Sequence, residues 1–199
     1  MTVKDAILKT AISLFNELGT ARVTTNLIAK EAKISPGNLY YHFNDKAHII
    51  REIYEMMICD WDQVYERVDA RPKDLNDSIK YFVRDNFELL WRYRFFNRET
   101  IALINADCQL YARHTEMTHM RLTRQRKIIQ EAIQIGLFKP TTTEKEMDDL
   151  LTIAWIVSNH YLLYLEGMGQ CVQKSDFDHG VDLVMQVLKP YRNDDRKNE

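Results

Sequence analysis

Tyr40, Tyr41 and His42, set in the run Ser35-Pro36-Gly37-Asn38-Leu39-Tyr40-Tyr41-His42-Phe43, are the side chains of this sequence best suited to hold a phosphate oxygen or meet a base edge. The run predicts a short helix. Ser35 can cap it, Pro36 sits where a missing N–H costs nothing, and the first-turn amides are left to face an anion. Leu39 and Phe43, four apart, face inward. Asn38, Tyr41 and His42 then face outward with Tyr40 at the margin, a polar and aromatic surface that contact with water alone does not call for. A helix this short does not persist by itself, so neighbouring elements must hold it.

Those elements are legible upstream. Thr24-Thr25-Asn26-Leu27-Ile28-Ala29-Lys30-Glu31-Ala32 predicts a second short helix with a threonine cap, its buried side supplied by Leu27, Ile28 and Ala32 or Ile34. Two short helices joined by a three-residue turn make a helix-turn-helix. Before them, Ile7, Leu8, Ala11, Ile12, Phe15 and Leu18 recur at helical spacing and Gly19 stops that helix, which buttresses the other two. Thr24 and Thr25 can serve as caps or as phosphate contacts, since both uses fall at the same end of the helix.

The order Ala11 and Leu14-Phe15, then Gly19, then Thr24-Thr25 followed by Ile28-Ala29, then Ser35, Gly37, Leu39-Tyr40-Tyr41-His42-Phe43 and Lys46 resembles the N-terminal DNA-binding domain of the TetR family of bacterial transcriptional regulators. The resemblance covers the first quarter of the chain and rests on many positions in fixed order. It implies a sequence-specific DNA-binding regulator, by default a repressor, that works as a homodimer. The partners it implies are double-stranded DNA carrying an inverted-repeat operator and a small-molecule effector that releases it. It also implies DNA contacts from Thr24, Thr25, Ser35, Gly37, Asn38, Tyr40, Tyr41, His42 and Lys46. A phosphate contact would explain why Lys46, a cation, opens a helix whose dipole disfavours it. One position departs from the family pattern: Lys33 stands where members usually carry glycine in the turn. A left-handed lysine there stores on the order of 1 kcal/mol of strain.

The 199 residues are 45% hydrophobic and 28% charged, the balance of a folded globular chain. Lysine plus arginine at 27 against aspartate plus glutamate at 29 gives a net charge of −2, which argues against a polycation that coats nucleic acid without sequence preference. The charge is unevenly placed, with residues 1–50 at +2 and the remainder at −4. Cys59, Cys108 and Cys171 are odd in number and far apart, so buried reduced thiols are expected rather than disulfides or a zinc site. The N-terminus lacks the pattern of a secretory signal, and the longest uncharged run, Leu150 to Leu165, is shorter than the roughly 20 residues of a membrane span. A cytoplasmic location without a membrane partner is expected.

Beyond Phe43 the pattern is helical throughout, and an all-α fold follows: a helix-turn-helix domain over 1–46, a helical effector-binding and dimerisation domain over 47–190, and a flexible tail over 191–199. A long helix capped by Asn44 or Asp45 carries Ile50, Ile53, Met57, Trp61, Val64 and Val68 at steps of three or four and ends before Pro72. Further helices are expected from about Leu75, from Asn97, from near Tyr111 to Gly136, from the capping box at Thr143 and Glu146, and from a cap at Ser175. In the helix after Thr143, Met147, Leu151, Ala154, Ser158, Tyr161 and Leu165 form one stripe while Ile153, Ile156, Val157, Leu163 and Tyr164 occupy the other sides. A single core cannot hide both, so pairing with a second copy is expected here and along Phe177 to Leu188.

No catalytic constellation, metal-ligand spacing or cofactor motif stands out: there is no Gly-rich phosphate loop, G-x-S-x-G or H-E-x-x-H, and His114 and His119 do not share a helix face. The protein is therefore expected not to be an enzyme. An all-α enzyme or ligand carrier with a helix-turn-helix-like head is the rival. Phe87, Trp91, Trp155, Asn159, His160 and Tyr161 are the effector-pocket candidates, mostly apolar with a few directed polar groups. Each can equally be ordinary core, and for His160 a hydrogen-bonded core position competes with a ligand contact.

Overall fold

The computed structural model describes residues 2–69, 75–141 and 143–193. Among them form the helices α1 (Val3–Leu18), α2 (Thr25–Glu31), α3 (Pro36–His42), α4 (Lys46–Asp69), α5 (Leu75–Arg92), α6 (Arg94–Ala106), α7 (Cys108–Gln134), α8 (Glu144–Gly167) and α9 (Lys174–Leu188), with short 3₁₀ turns at Thr20–Arg22 and Lys189–Tyr191. Apart from one isolated bridge between Phe138 and Arg192, no strand pairing occurs among the described residues, so the fold is all-α. The chain divides into two compact units, one of residues up to Asp60 with Arg92–Ala112, the other of Trp61–Trp91 with the residues from Arg113 on. The first unit is wider than the 1–46 segment marked off by the sequence pattern, because it includes the first part of α4 and all of α6.

Within the first unit α6 fastens the helix-turn-helix through α1. Asn16 of α1 is buried, and both ends of its amide are used: Nδ2 donates to the Arg92 carbonyl (2.9 Å) and Oδ1 accepts from the Phe95 N–H (3.0 Å). Glu99 accepts from the Thr20 N–H (3.1 Å) and from the Thr20 hydroxyl, which fixes the turn that follows α1. Phe15 packs on Phe95 with ring centroids 5.1 Å apart. A buried amide satisfied in this way costs little, whereas one left open costs about 1–3 kcal/mol.

Several helix ends differ from the sequence expectation. The sixth helix begins at Arg94, not Asn97, after a tight start in which the Tyr93 carbonyl accepts from Phe96 N–H (2.9 Å). The seventh begins at Cys108, because Asp107 Oδ1 takes the N–H groups of Gln109 (3.0 Å) and Leu110 (3.1 Å) as a cap. The last is capped by Gln173 with Asp176, whose carboxylate takes the Gln173 N–H (2.6 Å), so Ser175 lies inside the first turn. Tyr191 to Asn193, assigned from composition to a flexible tail, are instead tied back: Lys139 N–H donates to the Tyr191 carbonyl (2.6 Å) and Asn193 N–H to the Leu137 carbonyl (2.9 Å). The remainder of that tail, 194–199, lies outside the described residues. All three cysteines are free and exposed, not buried, since each falls on the solvent side of its segment.

In the second unit α8 packs lengthwise on α9. Gly180 makes a close approach possible there: a Cβ on it would lie 2.6 Å from the Phe87 ring and 3.0 Å from Tyr161 Cδ1. Met147, Leu150, Leu151, Leu162 and Leu165 of α8 are buried, while Ile153, Ile156, Tyr164 and, just beyond the helix, Met168 are exposed. The two-sided apolar character read from the sequence is therefore present, with one side open.

Candidate functional site

The exposed face of the first unit is built by two caps and one turn. Thr24 caps α2 by accepting the Leu27 N–H at 3.2 Å, and Ser35 caps α3 by accepting the Asn38 N–H at 3.1 Å, with Pro36 at the first helical position. Between them Ile34 N–H reaches the Ala29 carbonyl (3.0 Å) and Lys33 N–H the Lys30 carbonyl (3.1 Å), a paired closure of the helix end that requires a left-handed residue at position 33. Lys33 takes it, with φ 58°. Ile28, Ala29, Leu39 and Phe43 are buried beneath, as the spacing expects.

What remains outside is the polar and aromatic set. Tyr41 is 84% exposed and Tyr40 49% exposed, while Asn38 and Gly37 are also on the surface and His42 is half-buried with its ring edge-on to Tyr41 at 5.1 Å. Tyr40 is not spent on the core: its hydroxyl meets the Thr25 hydroxyl at 2.9 Å and links α3 to the start of α2. Nothing in the fold crowds Gly37, where an added Cβ would find only Ser35 Oγ at 3.9 Å. Glycine in a helix costs about 0.5–1 kcal/mol relative to alanine, so its presence has no folding rationale and fits close approach by an outside surface. Lys46 is half-buried, and its ammonium donates to the carbonyls of Thr20 (2.7 Å) and Val23 (3.1 Å), which braces the segment leading into α2. Two of its three donors are used in this way.

Two family models match the chain. "Bacterial regulatory proteins, tetR family" covers residues 7–53, and "Bacterial transcriptional repressor" covers residues 60–199. The chain belongs to the TetR family. A solved TetR-family regulator from Marinobacter aquaeolei VT8 superposes with a TM-score of 0.87 at 29% identity, over 98% of this chain and 93% of that one. The transcriptional regulator QacR of Staphylococcus aureus is 30% identical over 95 residues, 48% of this chain and 50% of that protein. IcaR of Staphylococcus aureus, the negative transcriptional regulator of the biofilm operon icaADBC, is 33% identical over 90 residues, 45% of this chain and 46% of that protein. Both matches span about half the length of those relatives.

The second unit of this TetR-family chain contains an almost wholly apolar cleft of about 540 Å³, counting its open mouth, walled by Ile79, Phe82 and Val83 of α5, Gln125, Ile128 and Ile129 of α7, Leu151, Ala154 and Ser158 of α8 and Val184 and Leu188 of α9. None of the six residues singled out from the sequence is among its lining. Phe87 is fully buried against Gly180, and Tyr161 packs edge-on to Phe87 at 6.0 Å. Asn159 is buried with its amide donating to the Trp155 carbonyl (2.9 Å). His160 is exposed, on the open side of α8, so neither a core nor a pocket position holds for it. Trp91 and Trp155 are half-buried. The lining had a signal in the sequence: 79, 82 and 83 on one helix and 125, 128 and 129 on another repeat the spacing of a shared face, but that spacing is also the pattern of any core. Among the described residues no group of three or more His, Cys, Asp or Glu side chains is placed to hold a metal ion, and no helix is long and apolar enough to cross a membrane.

Proposed function

We propose that the protein is a sequence-specific DNA-binding transcriptional repressor that acts in the cytoplasm as a homodimer and leaves its operator when a small molecule binds the second unit. One observation carries it: α3 is a short, externally braced helix whose outward side chains, Asn38, Tyr41 and His42, have contacts to offer to a partner rather than to the core. Helix α3 enters the major groove. Thr24, Thr25, Tyr41 and the third N–H of Lys46 hold phosphates, which set register, while Gly37 and Asn38 approach base edges, which set sequence preference. Tyr40 and Ser35 act at the margin, the first through its link to Thr25 and the second through its cap.

The open apolar side of α8, with Ile153, Ile156 and Tyr164, supports pairing with a second copy, and the neighbouring face of α9 extends it. Two heads related by a twofold axis read half-sites about 34 to 36 Å apart, so the operator is an inverted repeat. The experiment is selection of fragments from the protein's own genome by the purified chain, followed by gel shifts of the recovered sites against excess competitor DNA. Inverted repeats that survive competition, and whose binding Tyr41→Ala weakens at every site, are the expected result. Recovery of fragments with no common element, or unchanged affinity in Tyr41→Ala at moderate salt, would overturn the proposal.

A further inference from the structure

The apolar cleft of the second unit ends on a buried cation. The guanidinium of Arg121 lies over the ring of Trp61 at 4.1 Å and over that of Trp155 at 4.9 Å. Buried Asn86 fixes its plane: Oδ1 accepts from Arg121 Nη2 (3.2 Å) and from Trp61 Nε1 (3.1 Å), while Nδ2 donates to the Ser158 carbonyl (3.1 Å). The same residues wall the cleft or adjoin its walls. Ser158 lines it, Ala154 precedes Trp155, Gln125 lies one turn beyond Arg121 on α7, and Val83 lies one turn before Asn86 on α5. The cleft therefore has aliphatic sides and, at the level of Ser158 and Gln125, a held guanidinium whose donors lie in one plane, the geometry that suits a carboxylate.

We propose that this cleft takes an amphipathic carboxylate, its aliphatic tail among Ile79, Phe82, Ile128 and Leu151 and its carboxylate against Arg121. This rests on the effector reading above and names the chemical class of the effector. Apolar walls lower the local dielectric, so a carboxylate meeting a guanidinium there gains more than it would in water, while a cationic head of the same length meets like charge. A positive field at this end is also felt by His114, which burial, and then the charge of Arg121, hold below its usual range. Nearby Arg124 lies over Tyr65 at 4.1 Å and faces Asp62 at 3.8 Å, so its charge is partly balanced and Arg121 is the anchor.

The test is calorimetric titration of the full chain with decanoate, 1-decanol and decyltrimethylammonium, each below its aggregation threshold, in wild type, Arg121→Gln, Arg121→Lys and Ala154→Leu. Decanoate is expected to bind at least about tenfold more tightly than decanol, with the cation weakest. Arg121→Gln should bring decanoate and decanol within about twofold, Arg121→Lys should keep part of the preference, and Ala154→Leu should weaken both by filling the tail site. Equal binding of decanoate and decanol in wild type, a preference for the cation, or a decanoate preference that survives Arg121→Gln would overturn the proposal. Should Arg121→Gln not fold, the wild-type series and the lysine variant decide it. Decanoate binding that leaves operator affinity unchanged would retain this assignment and reject control by the cleft, whereas operator release by decanol alone would reject the carboxylate and retain control.

Discussion

Replacing Gly37 by alanine should move folding and DNA binding in opposite directions. Gly37 is the second residue of α3, its backbone is not left-handed, and an added Cβ would meet only Ser35 Oγ, at an ordinary van der Waals 3.9 Å. The fold therefore has no objection to a methyl group, and alanine should stabilise the chain by about 0.5–1 kcal/mol through lower backbone entropy in the unfolded state. For a chain of this length that is a rise of about 1–4 °C in Tm. The same methyl group points to where the groove floor is expected, and a misfit there should weaken operator binding at least about tenfold, or 1.4 kcal/mol. Thermal melts of the full chain with gel-shift titrations on one operator measure both. A stabilised variant that binds its operator as tightly as wild type would refute the close-approach argument, and a destabilised variant would refute the account of α3 itself.

Lys33→Gly should stabilise by roughly 0.5–1 kcal/mol in urea melts, since it removes about 1–2 kcal/mol of left-handed strain at φ 58° and returns part of that as glycine entropy. Gly180→Ala should destabilise by about 1–3 kcal/mol and broaden the near-ultraviolet signature of Tyr161, because the new Cβ would sit 2.6 Å from the Phe87 ring. Asp107→Ala should cost about 0.5–2 kcal/mol at neutral pH through the lost cap of α7. Burial works against the Asp107 carboxylate, but the Leu110 N–H, the Arg51 guanidinium and the Gln109 N–H outweigh it and hold the group below its ordinary value. A depressed folded value means the contribution is complete above about pH 4 and is lost as pH falls through the lower folded value, so wild type and Asp107→Ala should converge only in strong acid.

The DNA-binding head was readable because its structure is set by short-range chemistry. Caps at Thr24 and Ser35, the stop at Gly19 and the four-residue spacing of Leu39 and Phe43 each act within a turn or two, and each occurs where the sequence puts it. Lys46 shows where that legibility ends. Its sequence position says only that a cation opens α4, whereas its partners, the carbonyls of Thr20 and Val23, become visible only when the chain has folded back on itself. Asn16 is the same case. A lone asparagine in an amphipathic helix carries no sign that Arg92 and Phe95 will close its amide from far along the chain.

The second unit was harder because a cleft wall and a packed core use the same residues at the same spacing. Aromatic size was a poor guide: Phe87 and Tyr161 are large because α5 and α8 must pack around Gly180, a demand that comes from one missing Cβ rather than from any ligand. Charge was a poor guide for the opposite reason. Arg121 stands among Arg124, Gln125, Arg126 and Lys127, which reads as a solvated face, and Arg126 does meet Glu144 at the surface. Arg121 is set apart by Trp61 on α4, Trp155 on α8 and Asn86 on α5, none of them its neighbour in sequence. A guanidinium placed over two indoles keeps its charge, since its pKa is too high for burial to neutralise it, so the unit carries a fixed positive end beside an apolar cleft. Keeping such a charge costs desolvation that a methionine at the same position would avoid. That cost is easiest to understand if something of opposite charge recovers it on binding, and Arg121→Met, expected to fold at least as stably as wild type while losing selectivity for decanoate over decanol, separates that explanation from simple packing.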